Sequence, residues 1–370
     1  MSAQGVLAAT LVEPGKYELR EYPLPETAPG CVLVKMEMSG ICGTDKHTFQ
    51  GYVTQYGDRK LEFPIIQGHE NVGTIAAIGG NGRYTDYEGI PLRVGDRVVV
   101  GANVSCGQCY YCRHDFPYYC CEKSTDYGNY LSAKNPPHLF GGWSQYIYIV
   151  PGSFLVKVPD DLPSEVAVLT EIFAVSVGLD RAKQMSSFPN ESFRFDDTVV
   201  ILGVGPLGMC FLMKARMLGA GTIIALDLSD YRLDFAKRLG ADEVVISKNA
   251  DEMRKHAGTF DFILDSVSAE HDLNAYLQLL RLDGTLCLVG VPEKPAPVAS
   301  LSVIFGRHSL SGSAIGGLPE TQEMLDYCGE HGIVSDIEII PIQQINQAYE
   351  RLLKSDVKYR FVIDSASLKK

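Results

Sequence analysis

The feature that most constrains this chain is the run Gly203-Val204-Gly205-Pro206-Leu207-Gly208, because of what stands on either side of it. Residues 199–202 form a short aliphatic run that reads as a buried strand, and residues 207–218 carry helical spacing. A strand at 222–226 and a helix at 231–239 follow, then short strands at 243–246, 260–264 and 285–289 with helical segments between them. Strands alternating with helices at this spacing build βαβ units, so the fold class is α/β with a doubly wound parallel sheet. The glycines let the backbone turn tightly and approach a pyrophosphate, which then rests on the positive end of the following helix. Asp227 ends the next strand, 19 residues after Gly208, where a carboxylate accepts hydrogen bonds from both hydroxyls of a ribose. A 2′-phosphate would meet that carboxylate with like charge. Gly203, Gly205, Pro206, Leu207, Gly208 and Asp227 are therefore expected to bind NAD rather than NADP, with Arg232 placed to cover the adenine. The bland alternative is a glycine turn with no ligand.

The first 165 or so residues have another grammar. Runs at 32–36, 72–78, 96–100 and 146–150 alternate with glycine turns and predict a compact, mostly antiparallel β domain. Helical spacing begins at Ser164 and continues to 182, and 184–197 reads as a loop. Beyond 317 the pattern predicts a helix at 319–328, a strand at 337–340, a helix at 345–354 and a last strand at 360–363. A length of 370 residues suits two domains, with one large α/β barrel as the competitor. The 33 Lys and Arg against 45 Asp and Glu leave a formal charge of −12, which repels nucleic acid and anionic lipid. The longest useful uncharged stretch, 198–213, contains Pro206 and is shorter than the roughly 20 residues of a membrane span. The first basic residue is Lys16, so no charged export signal is visible, and a cytoplasmic enzyme or binding protein is expected.

Two clusters of metal-ligating residue types stand out. Cys106-x2-Cys109-x2-Cys112-x7-Cys120 places four thiols within 15 residues, enough to enclose one tetrahedral Zn²⁺ with no position left for substrate. That site would be structural, with Cys121 as a surplus thiol; the alternative is a set of ordinary buried or oxidised thiols. The second cluster is dispersed: Gly40-Ile41-Cys42-Gly43-Thr44-Asp45-Lys46-His47, then Gly68-His69-Glu70, then Glu171. Cys42, His69 and a carboxylate from Glu70 or Glu171 supply three ligands to a Zn²⁺ that keeps an open position, as catalysis requires. Taken singly, each is as readily a core residue or a surface acid.

In this combination and order the motifs resemble the zinc-dependent medium-chain dehydrogenase/reductase family, the alcohol, sorbitol and threonine dehydrogenases, over nearly the whole chain. The resemblance implies a GroES-like, β-rich catalytic domain of residues 1–177 completed by 318–370, a Rossmann domain of 178–317, and an active site in the cleft between them. It implies that Cys42 and His69 bind the catalytic zinc, that Asp45 orients the ligating imidazole, and that Glu70 stands beside the metal. Thr44 would hydrogen-bond the substrate oxygen, and His47 would pass its proton to solvent. Glu171 would be the third ligand, as in the polyol and threonine branch, although Ile172 follows where that branch has proline. Arg360 becomes a candidate pyrophosphate partner and Val291 a backbone contact to the carboxamide.

What the resemblance implies for function is oxidation of an alcohol by NAD, with its ketone or aldehyde as product. Phe49, Tyr52, Tyr56, Phe140, Trp143 and Phe173 fall in segments that shape the family's outer pocket, which favours a secondary, cyclic or aryl alcohol over a polyol; the alternative is that these rings are core. Residues 79–94 are longer than the usual connection and suggest a surface elaboration or subunit contact. A homodimer or homotetramer is expected, pairing near 286–291 and 309–313. The rivals are a polyol dehydrogenase, a zinc-free NADPH reductase, which Asp227 and the cysteines oppose, and a noncatalytic dinucleotide-binding sensor.

Overall fold

In a computed structural model, residues 5–51, 55–56, 59–86, 89–114, 117–120, 125–169, 193–292, 294–315, 321–322, 325–326, 329–330, 337–354, 357 and 360–369 are described. The chain divides into two compact units, Met1–Glu171 with Gly317–Lys370, and Ile172–Gly316.

The first unit is built on an eight-stranded sheet. Its main path runs Thr125–Asp126, Arg97–Val104, Asn71–Ile78, Val32–Gly40, Arg360–Asp364 and Ile337–Pro341. Tyr146–Ile149 pairs with Val32–Gly40, and Ser153–Lys157 with Arg97–Val104. The pairings are antiparallel except between the last two strands of the path, Arg360–Asp364 and Ile337–Pro341, which run parallel. A three-stranded sheet of Lys16–Pro23, Gly5–Glu13 and Ile65–Ile66 packs with it over a core that includes Leu11, Ile66, Trp143, Tyr349 and Phe361. The late strand Arg360–Asp364 lies against the early strand Val32–Gly40, with Val362 opposite Gly40 and Asp364 opposite Met38. The C-terminal segment therefore completes the N-terminal domain. Residues 79–94 contain a short hairpin of Tyr84–Thr85 and Pro91–Leu92; Leu92 is buried and the Tyr84 hydroxyl donates to the Ser153 carbonyl at 3.1 Å. That segment is fastened to its own domain at these two points.

The second unit is a six-stranded, wholly parallel sheet in the order Glu243–Ile246, Thr222–Asp227, Thr198–Leu202, Phe260–Asp265, Leu280–Leu288 and Ser309–Gly312. Numbered by their sequence within the unit, these strands run 3-2-1-4-5-6, the doubly wound order that reverses direction beside its first strand. Thr198–Leu202 and Phe260–Asp265 flank the reversal and are buried on both faces, which is why residues 199–202 read as a continuous apolar run, whereas the second strand carries a buried Asp261 that is ion-paired with Arg281. Ligands of such sheets bind beyond the carboxyl ends of the strands at this reversal, where the glycine loop begins.

Candidate active site and metal centres

The glycine loop leaves Leu202 through Gly203 at φ +81°, a left-handed conformation that favours glycine. Close packing needs Gly208 as well, since a Cβ there would stand 1.9 Å from the Gly203 carbonyl oxygen. At Gly205, in contrast, an added Cβ would meet nothing within 4 Å. Gly205 caps the helix Pro206–Met217 with no side-chain hydrogen bond to its first turn and proline at its start, so the positive end of a 12-residue helix has no side-chain cap. Asp227 is 6% exposed and held by two backbone donors, Val204 N to Oδ2 and Ser229 N to Oδ1, both at 2.9 Å. The Arg232 guanidinium lies 3.8 Å from Asp227 Oδ2, so the residue expected over an adenine borders the carboxylate expected at the ribose. An open glycine cradle, an uncapped helix start and an anchored carboxylate fit a dinucleotide. Val291 is 64% exposed just past the strand Leu280–Leu288.

The dispersed cluster assembles in the first unit. Cys42 caps the helix Gly43–Gln50, and Asp45 in that first turn reaches back so that the Cys42 N–H donates to its Oδ2 at 2.9 Å. Gly68, at φ +94°, turns the chain into His69, whose Nδ1 lies 3.3 Å from Asp45 Oδ1. Cys42, His69 and Glu70 bring one ligand atom each to within 4.8 Å of one another. Burial pulls the His69 imidazole down, but the Asp45 carboxylate and the Cys42 thiol outweigh it and raise its pKa well above the ordinary value. The pocket thus stabilises positive charge. Glu70 Oε2 is buried with no hydrogen-bond partner among the described residues, the state of a carboxylate oxygen that a cation would satisfy. This donor set of soft sulfur, imidazole and carboxylate fits zinc.

Thr44 is exposed on the first turn of the same helix, with its hydroxyl 3.8 Å from Cys42 Sγ, and His47 follows one turn later at 8% exposure. Glu171, the other expected carboxylate, lies outside the described residues. Arg360, for which a pyrophosphate is implied, is 6% exposed; its guanidinium is ion-paired with Glu70 and lies 3.4 Å from the Ile41 carbonyl. No sequence signal links Glu70 to a residue 290 positions away.

The cysteine lobe brings all four thiols together, with Cys106 and Cys112 sulfurs 3.9 Å apart and those of Cys109 and Cys112 3.5 Å apart. A tetrahedron with arms of about 2.3 Å has edges of about 3.8 Å, so the spacing fits a closed zinc site. Backbone N–H groups of Cys106 and Cys109 donate to the sulfurs of Cys120 and Cys106 at 3.3 Å each. Burial and the neighbouring Cys109 thiol push the Cys112 thiol up to about 12, a proton that a metal would displace. Cys121 lies outside the described residues.

The structure separates the aromatic set by burial. Trp143 is fully buried, with ring centres 5.6 Å from Tyr17 and 6.2 Å from Tyr349, and Phe49 stacks on Tyr17 at 5.3 Å and on Tyr349 at 4.5 Å. Phe140 packs against the same core. Trp143 is therefore core, while Phe49 and Phe140 are half-buried rings packed against that core. Tyr52, Phe173 and the side chain of Tyr56 lie outside the described residues.

Two family models match the chain, the alcohol dehydrogenase GroES-like domain over residues 28–160 and the zinc-binding dehydrogenase domain over residues 206–330. The aldehyde reductase YahK of Escherichia coli is 38% identical over 346 residues, covering 93% of each chain. An NADP-dependent alcohol dehydrogenase C of Mycobacterium tuberculosis is 36% identical over 344 residues, again 93% of each. Among solved structures, a cinnamyl alcohol dehydrogenase of Sorghum bicolor superposes with a TM-score of 0.82 at 30% identity over 99% of both chains.

Proposed function

Since this chain belongs to the zinc-dependent medium-chain dehydrogenase/reductase family and is an alcohol oxidoreductase, we propose that it interconverts an alcohol and its aldehyde or ketone with NAD and a catalytic zinc, aryl alcohols first. The observation that carries the reading is the convergence of Cys42, His69 and Glu70 with Asp45 behind the imidazole. Cys42 and His69, with a carboxylate from Glu70 or Glu171, would hold a zinc that supplies Lewis acidity toward the alcohol oxygen, while the nicotinamide supplies the hydride acceptor. Asp45 fixes the imidazole's orientation and raises its basicity as a ligand. Thr44 would hydrogen-bond the substrate oxygen, handing on its own hydroxyl proton as it accepts the substrate's, and His47, one turn later on the same helix, would pass that proton toward solvent. Cys106, Cys109, Cys112 and Cys120 hold the structural zinc.

The preference for NAD rests on Asp227, buried and anionic where a 2′-phosphate would sit. Two observations favour the rival cofactor: the Arg232 guanidinium lies 3.8 Å from Asp227, and several relatives are named NADP-dependent. Aryl alcohols are preferred because relatives are named cinnamyl alcohol dehydrogenase and aldehyde reductase. Homo-oligomerisation is supported by exposed Leu301, Ile304, Phe305 and Leu310 around the edge strand Ser309–Gly312. No described helix is long and apolar enough to cross a membrane.

The test is reduction of NAD and NADP by purified zinc-replete protein across aryl, linear, secondary and cyclic alcohols and sorbitol-like polyols, with zinc counted per chain. Turnover of aryl alcohols with NAD and two zincs is expected. Turnover of polyols alone would overturn the substrate assignment, a higher kcat/KM with NADP the cofactor assignment, and no turnover with two zincs bound would favour the sensor.

A further inference from the structure

Behind the cluster of Cys42, His69 and Glu70 runs a buried polar chain that local sequence does not reveal. Gln67 is fully buried two residues before His69. Its amide nitrogen lies 3.3 Å from the Asp45 carbonyl oxygen and 3.5 Å from Asp45 Oδ1, the oxygen that faces His69 Nδ1. Its amide oxygen accepts from the Tyr17 hydroxyl, which itself lies 3.3 Å from the hydroxyl of Tyr349. The amide has one tolerable orientation. Turned over, Gln67 Oε1 would face two oxygens of Asp45 that can only accept. Tyr17 cannot drift away, because its ring is walled by Phe49 at 5.3 Å, Trp143 at 5.6 Å and Tyr349 at 5.7 Å.

We propose that Gln67 is a positioning residue of the catalytic metal centre: clamped by Tyr17, its amide holds Asp45 against His69 and so sets how firmly Cys42 and His69 retain zinc. Asp45 is then restrained by the Cys42 N–H on Oδ2 and by the Gln67 amide on its carbonyl and Oδ1 edge, which leaves Oδ1 3.3 Å from a His69 Nδ1 that has no hydrogen bond among the described residues. At 3.5 Å the last approach is at the outer limit of a hydrogen bond, so the amide dipole acts on Oδ1 mainly through space while the carbonyl contact fixes the helix turn. Partners outside the ligand shell typically change metal affinity by about 10–100-fold, and Gln67 stands one step farther out than Asp45, which places its effect near the lower end.

The proposal rests on reading Cys42 and His69 as zinc ligands, and its test needs no substrate. Zinc release from the holoenzyme into an excess of chromophoric chelator is followed for wild type, Q67L and Y17F. The four-cysteine lobe serves as the internal reference. Q67L is expected to release one zinc about 10-fold faster while the second leaves at the wild-type rate, and Y17F, which loses a single hydroxyl, to shift the same way by less. Cobalt placed in the catalytic site should show an altered absorption spectrum in Q67L. Should Q67L fail to fold, Y17F carries the test. Catalytic-zinc release unchanged in the folded variants would overturn the proposal, as would equal acceleration of both zincs, which marks general loosening. A protein that oxidises no alcohol yet releases its zinc faster as Q67L would refute the proposed activity and leave this inference standing.

Discussion

Removing one partner of the Glu70–Arg360 pair should be among the most damaging single changes in the first unit. The two side chains are 1% and 7% exposed, so both charges are kept from water and face each other directly. Breaking such a pair leaves an uncompensated buried charge, at a cost of about 3–5 kcal/mol, whereas replacing both by apolar residues of similar volume is close to neutral. For a domain of this size about 1 kcal/mol moves Tm by about 2–4 °C, so E70L or R360M alone should lower the first unit's melting temperature by about 6–20 °C. The double variant E70L/R360M should recover most of that loss. Calorimetry of wild type, both singles and the double yields the coupling, expected at about 3 kcal/mol in the sense that the second change repairs the first. Because Glu70 also stands at the metal cluster, the cycle is run on zinc-replete and chelator-treated protein; the pair's coupling persists in both. Singles that each cost under about 0.5 kcal/mol and simply add would refute the argument that this pair is dry.

Three further outcomes follow from the same structure. D45N should weaken binding of the catalytic zinc by about 10–100-fold in a competitive chelation titration, leaving the cysteine-lobe zinc in place, because the amide no longer attracts the His69 imidazole. Zinc uptake by the reduced, metal-free protein should release protons, and lobe affinity should fall as pH falls, since the Cys112 thiol, pushed up to about 12, must ionise to bind; proton release measured in weak buffer checks this, and uptake without release would contradict it. The His271 imidazole is held by Asp265 at 2.7 Å, a hydrogen bond that raises its pKa against the opposing effect of burial. Its folded value being above the unfolded one near 6.5, the pair stabilises the second unit fully below that value and progressively less as pH rises through the folded value. Wild type minus H271Q should therefore show a Tm difference that shrinks with rising pH, and a difference growing with pH would reverse the assignment.

Much of the candidate site was legible because its parts are local. Four thiols within 15 residues can meet whatever the rest of the chain does, and a glycine loop between strand and helix carries its own geometry. Cys42 and Asp45 share one helical turn, so their mutual hydrogen bond was implicit in their spacing. The apolar run at 199–202 likewise announced a strand, since a strand covered on both faces has no polar side to alternate with.

What only the tertiary structure decided lies across long separations. Trp143 could have lined an opening or filled the core, and the choice was made by Tyr17 and Tyr349, which arrive from opposite ends of the chain to pack against it, while Phe49 stacks on both tyrosines and stays half-buried. Arg360 stands in the sequence as a candidate pyrophosphate partner, and only the pairing of the last strand with Val32–Gly40 sets it on Glu70. Gln67 looks like an incidental polar residue until Tyr17 closes over it. Residue type and short spacing determine which chemistry a segment can perform, because a loop or a helical turn fixes its own geometry. Which buried groups support that chemistry depends on partners that only folding brings within hydrogen-bonding distance.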